Sequence, residues 1–221
     1  MTLKDLIARF RVQSADKAEP QLWSDQEVTM WLNDAQKQAC IRGRLLREDD
    51  ERSVCVIPLR DGKNTYRLHP KVYEIINARF TRGGGTARYA KLVSREWLDA
   101  NRGGWRDDSY EAEYIIQDDV TIRIVGKVNP DEALRIECYR LPMDDMEQLS
   151  DEPEIHEAHH EHLVHWALHK AFSVVDADGF DATKSARAEA AFTDYFGLMP
   201  DSDLRRMTRV DEVQHNYGVF P

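Results

Sequence analysis

The chain has 221 residues, 42% of them hydrophobic, with 30 Lys and Arg against 40 Asp and Glu for a formal net charge of -10. That length suits one large domain or a domain carrying an insertion, and the apolar fraction suffices for a core. The acidic balance argues against a protein that grips nucleic-acid phosphates, no stretch is long and apolar enough for a membrane span, and no apolar leader opens the chain. Cys40, Cys55 and Cys138 are isolated, with no C-x-x-C, so reduced, buried thiols in a soluble chain made in a cytoplasm are expected.

Leu3, Leu6, Ile7 and Phe10 recur at helical spacing and predict a short amphipathic helix. Ser24-Asp25-Gln26-Glu27 reads as a capping box, with Trp23 and Val28 placed as its hydrophobic staple. From there Val28, Trp31, Leu32, Ala35 and Ala39 form one apolar stripe, predicting a helix to about Arg47. Beyond the charged break Glu48–Arg52 the period changes to two. Ser53–Leu59 predicts a strand, Asp61-Gly62 its turn and Thr65–Leu68 the returning strand. Val72–Arg82, Tyr114–Gln117, Val120–Val125 and Ala133–Tyr139 add further strands, with a serine-capped helical turn at Ser94–Asp99. Such short strands predict a small sandwich or barrel.

After an acidic link from Met143 to Glu152, a helix is expected over Asp151–Val175, polar at its start and apolar past His162, buried as the fold's central strut. Asp181 should cap a last helix whose apolar side carries Ala182, Ala186, Tyr195 and Phe196, with Gly197 stopping it. The predicted fold class is α+β: a bundle of long α-helices (1–52 and 143–198), an inserted small β-sandwich or barrel-like domain (53–142), and an extended tail (199–221). The tail follows Pro200 and keeps Leu204, Val210, Tyr217 and Phe220 beside Arg205, Arg206 and Arg209. These seven residues are the expected partner interface, ordering on a neighbouring chain.

His156-Glu157-Ala158-His159-His160 matches H-E-x-x-H, which on an α-helix puts two imidazoles one turn apart to hold zinc while the glutamate activates water. A third ligand at metzincin spacing is missing, because Trp166 stands where it belongs. In a segment this rich in His and Glu the motif is read as a polar helix start, and no metal, cofactor or catalytic residue is expected. A zinc-dependent metallopeptidase is the alternative. A carbohydrate-binding module, suggested by Trp97, Trp105 and Tyr110 near Gly-rich turns, is a further one.

The order of particular words resembles the head-to-tail adaptor (connector) proteins of tailed bacteriophages. The words are Leu22-Trp23-Ser24-Asp25-Gln26-Glu27-Val28 with Trp31-Leu32-Asn33-Asp34-Ala35-Gln36, then Ile57-Pro58-Leu59, Tyr66-Arg67-Leu68, Trp105 and Tyr139-Arg140-Leu141-Pro142. Glu154-Ile155-His156, His162-Leu163-Val164-His165-Trp166-Ala167-Leu168 and Phe196-Gly197 close the series. The resemblance spans most of residues 1 to 198. It implies a non-enzymatic virion protein of the neck, assembled in the bacterial cytoplasm. It also implies a homo-oligomeric ring, a dodecamer in the usual case, seated under the portal protein and offering a platform to tail or further neck proteins. DNA would pass through the ring without specific binding, and no membrane is involved. Asp144, Asp145, Glu147, Asp151, Glu152, Glu154 and Glu157 are the expected acidic lining of that channel, in a stretch without Lys or Arg from Met143 to Glu161.

Overall fold

A computed structural model describes residues 1–82, 87–174 and 179–200. They form two compact units, Met1–Arg47 with Tyr139–Met199, and Glu48–Cys138. The sequence placed the insert at 53–142.

The first unit is helical. α1 (Leu3–Ser14) opens on a Thr2/Asp5 capping box, and α2 (Asp25–Gly43) on the expected one: the Glu27 amide donates to Ser24 Oγ (3.2 Å) and the Ser24 amide to Glu27 Oε2 (2.8 Å). Each reciprocal pair satisfies backbone donors that a helix start leaves orphaned. Arg44, in the left-handed region at φ 51°, ends α2 earlier than the stripe suggested. The last two helices of the chain, Leu163–Ser173 and Ala182–Phe196, take the labels α5 and α6. α6 has its Asp181 cap, and Gly197, at φ 92°, closes it. α5 packs against α1, α2 and α6, so it is the centre of this unit. Leu6 and Phe10, Leu32 and Ala35, Leu163 and Ala167, and Phe192 meet in one core. Trp23 bridges it, edge-on to Phe10 at 5.7 Å and to Phe172 at 5.6 Å.

The second unit is a curled, mixed sheet. Its strands are β1 (Arg47–Glu48), β2 (Val56–Pro58), β3 (Thr65–Arg67), β4 (Val72–Arg82), β5 (Arg88–Leu92), β6 (Tyr114–Gln117), β7 (Thr121–Val125) and β8 (Glu132–Arg140). α3 (Arg52–Cys55) precedes β2, and α4 (Arg95–Asn101) lies between β5 and β6. The order is β1-β8-β4-β5-β6-β7-β3, and β2 also pairs with β8. Antiparallel registers include Ile57 with Leu134, Tyr66 with Ile122, Ala78 with Ala90 and Ile115 with Ile124. β5 and β6 run parallel, Lys91 beside Tyr114. Val93, Leu98, Trp105, Tyr114, Ile116 and Val125 form a core where α4 covers the sheet.

The expected fold class needs correction. The described chain is 40% helix and 24% strand. No bundle of long helices forms: α2, the longest described, has 19 residues, and α1, α5 and α6 have 12, 11 and 15. No two-sheet sandwich or closed barrel forms either, but one curled half-barrel sheet. Its α4-containing link is a crossover, which makes β5 and β6 parallel and breaks the run of hairpins a sandwich would need. The expected hairpin over Ser53–Leu68 is also altered. Residues 52–55 are helical, and beyond one bridge between Arg60 and Lys63 the strands diverge, β2 to β8 and β3 to β7.

Candidate functional site

The acidic segment is held on the helical unit by buried polar groups. Asn33 on α2 donates to the Met146 carbonyl and accepts from the Met146 amide, both at 2.9 Å. Three residues on, Gln36 accepts the Glu154 amide at 2.6 Å. Arg140, 9% exposed, donates to Glu154 at 2.6 Å, and Glu154 also accepts the Met143 amide at 2.8 Å. Asp151 accepts the amides of Glu147 (2.8 Å) and Gln148 (2.7 Å), and its backbone carbonyl accepts the amide of Leu3 (2.7 Å). The Gln148 amide first, then that of Glu147, holds the Asp151 carboxyl below its ordinary value. Asp145 pairs with Lys37 at 2.7 Å. Of the seven predicted acids, then, Asp145, Asp151 and Glu154 fix the segment in place. Asp144, Glu147, Glu152 and Glu157 stand exposed.

The histidines follow. The helix expected from Asp151 is corrected here: Glu157–His162 is a 3-10 helix, and α-helix begins only at Leu163. In an α-helix, residues four apart lie on one face; at three residues per turn they point about 120° apart, while residues three apart eclipse. The H-E-x-x-H pair is therefore split. His156 caps the 3-10 helix by accepting the Ala158 amide at 3.1 Å. His160 is 2% exposed, with Nε2 on the Ile155 carbonyl at 2.8 Å and Nδ1 on the Met1 amine at 3.0 Å. Both of its ring nitrogens are thus engaged. Among the described residues no group of three or more His, Cys, Asp or Glu is arranged to hold a metal ion.

The three-residue spacing His156, His159, His162, His165 instead builds a ladder. Ring centroids are 6.1 Å apart for His156–His159 and 5.8 Å for His162–His165. Tyr195 of α6 stacks on His162 at 3.5 Å, meets His159 Nδ1 at 3.1 Å, and donates to the Ala158 carbonyl at 3.2 Å. Burial first, then neighbouring imidazoles, pushes His159 below its ordinary pKa; His165 moves the same way for the same first reason.

Of the aromatics suggested for carbohydrate, one is buried. Trp105 is 4% exposed and donates Nε1 to Asp99 at 2.8 Å, and Trp97 packs on Tyr114 at 5.4 Å. Tyr110 is exposed, with the Arg102 guanidinium 4.9 Å over its ring. All three cysteines are free and buried. Leu204, Arg205, Arg206, Arg209, Val210, Tyr217 and Phe220 lie outside the described residues.

Sequence reasoning missed Asn33, Gln36 and Tyr195. Asn33 and Gln36 sit among the apolar positions of α2 and look like ordinary helix polars. The 3-10 turn was missed as well, since the segment was read as the polar start of a longer helix.

A family model described as SU10 adaptor protein matches residues 1–214, almost the whole chain. The chain belongs to this family of phage head-to-tail adaptors. No curated protein matches the sequence. Membership supports a structural role as a phage adaptor, and it implies a place in the virion and association with portal and tail proteins. No helix among the described residues is long and apolar enough to cross a membrane.

Proposed function

We propose that copies of this chain close into a ring beneath the portal, continue the DNA channel and seat the tail proteins. The supporting observation is the acidic segment, which lacks Lys and Arg from Met143 to Glu161 yet is clamped in place by Asn33, Gln36 and Arg140. Fixed carboxylates facing DNA repel its phosphates, and with no cations to replace the counterions the duplex passes unheld. Asp144, Glu147, Glu152 and Glu157 are the residues proposed to face the lumen, with Asp145, Asp151 and Glu154 holding their backbone. Ring closure is a heterologous contact repeated around an axis. In this reading the tail hydrophobes Leu204, Val210, Tyr217 and Phe220 anchor on a neighbour or the portal, and Arg205, Arg206 and Arg209 pair with its carboxylates. The role is non-enzymatic.

Electron microscopy of particles carrying the full chain, or the chain ended at Met199, tests this. The full chain should image as a neck ring with its acidic segment on the channel wall, and the shortened chain should be missing from DNA-filled heads. Carboxylates on the outer rim, or normal incorporation without the tail, would refute the corresponding half.

A further inference from the structure

The half-barrel has an open seam. β2 and β3 are consecutive strands joined by a tight turn in which Gly62 takes φ 68°, the left-handed region. Tyr66 ties that turn shut: its hydroxyl accepts the Arg60 amide at 2.8 Å and donates to the Lys63 carbonyl at 2.7 Å. Beyond it the strands part, leaving a cleft of about 250 Å³ lined by Val56, Pro58, Arg60, Lys63, Tyr66 and Arg67.

Two features of the cleft point to its occupant. The first is backbone. Asn64 bonds to Ile124 of β7 and Leu68 to Val120 just before it, so by strand alternation Tyr66 faces β7 too, and the amides and carbonyls of Thr65 and Arg67 face the seam. On the other wall Leu59 bonds to β8, which turns the carbonyls of Val56 and Pro58 toward the seam. The Val56 amide is already taken by the Arg52 carbonyl, and Pro58 has none, so this wall only accepts. Donors and acceptors alternating along an open strand edge match another extended polypeptide.

The second feature is charge. Arg60, Lys63, Arg67 and His69 all line the cleft, and no carboxylate does. Elsewhere in this unit several arginines are paired: Arg82 with Asp131, Arg95 with Asp118, Arg106 with Asp99, Arg123 with Asp108. Among the described residues Arg60, Lys63 and Arg67 form no ion pair; Lys63 lies 5.2 Å over the Tyr66 ring. Glu51, close to His69, is engaged by the Ser53 amide and hydroxyl at 3.1 and 2.9 Å.

We infer that the β2–β3 seam is a docking site for an extended acidic segment of a partner protein, which adds a strand along β3. Alternation of the guest strand would turn one row of side chains to the face of Ile57 and Tyr66 and the other, acidic, to the face of Arg60 and Arg67. Nucleic-acid phosphates would meet the cations but offer nothing to the backbone carbonyls, so the cleft favours polypeptide. This inference does not depend on the ring.

The probe is a short labelled peptide of alternating Glu and Val, compared with its Lys–Val counterpart and a DNA duplex, titrated into the full chain by fluorescence anisotropy. The Glu–Val peptide should bind about tenfold tighter than the Lys–Val peptide and weaken with salt. It should also slow hydrogen exchange at the Thr65 and Arg67 amides. Arg60→Glu with Arg67→Glu should reverse the charge preference; if that variant does not fold, Arg67→Gln should still cut binding. Equal or absent peptide binding would overturn the inference. So would binding that leaves the two amides unprotected. A duplex that competes at the seam while the peptide does not would assign the cleft to nucleic acid instead.

Discussion

At the scale of single residues, Asn33 is the most consequential side chain on the helical unit. It is 8% exposed and makes both of its 2.9 Å bonds to one backbone residue 113 positions away. Asn33→Ala would leave a buried amide and a buried carbonyl without partners, each worth about 1–3 kcal/mol. The variant should lose about 2–4 kcal/mol of stability, read as a lower urea midpoint, while α2 keeps its helix. Asn33→Asp should not rescue it, because a carboxylate accepts from the Met146 amide but cannot donate to the carbonyl. None of this was legible beforehand. Caps and apolar stripes are local patterns, and Ser24 with Glu27 was read correctly because its partners sit three residues apart. An asparagine whose partner lies across the insert carries no local mark.

At the scale of elements, the histidine ladder decides how the α5–α6 packing responds to acid. His159 and His165 have folded pKa values below the ordinary 6.5, with burial as the leading cause. Such groups bind protons more readily when unfolded. Their contribution to stability is complete above the ordinary histidine value and is lost as pH falls through the depressed folded values. Each added proton also meets neighbouring imidazoles: His156, His160 and His162 around His159, and His162 with Arg9 near His165. Glu161 acts the other way on His165. The melting temperature should therefore fall between pH 7 and pH 5, and the double change His159→Gln, His165→Phe should flatten that slope. NMR titration that placed both imidazoles above the ordinary value would contradict the assignment. Hydrophobic periodicity located the α-helices of this unit. It gave no sign of the tighter winding at Glu157–His162, where every residue but Ala158 is polar.

At the scale of the molecule, the insert enters and leaves the helical unit through one gate. The Arg140 amide donates to the Leu46 carbonyl at 2.9 Å, so the two ends of the insertion lie side by side. Chains tolerate cuts and joins where two ends already meet at a surface. Joining Met1–Leu46 to Arg140–Met199 through a short Gly-Ser link should give a protein with helical circular dichroism and a cooperative thermal transition. A broad, non-cooperative melt would show that the helices need the sheet to fold. The helix–strand–helix order was legible, because the apolar period switches from 3.6 to 2 near Arg52. The sheet's topology was not, since nothing local to β8 says that its neighbour is β4, or that β2 and β3 will separate.

That arrangement also sets a timetable for synthesis. Roughly 120 residues separate the end of α2 from the start of α5, the helix that covers its apolar side. At ordinary ribosomal speeds of about 5–20 residues per second, Val28, Leu32, Ala35 and Ala39 wait about 6–24 seconds outside the exit tunnel before their partner is made. The nascent chain spends that interval with an uncovered greasy stripe, in a cytoplasm where its sister copies are being translated on the same message.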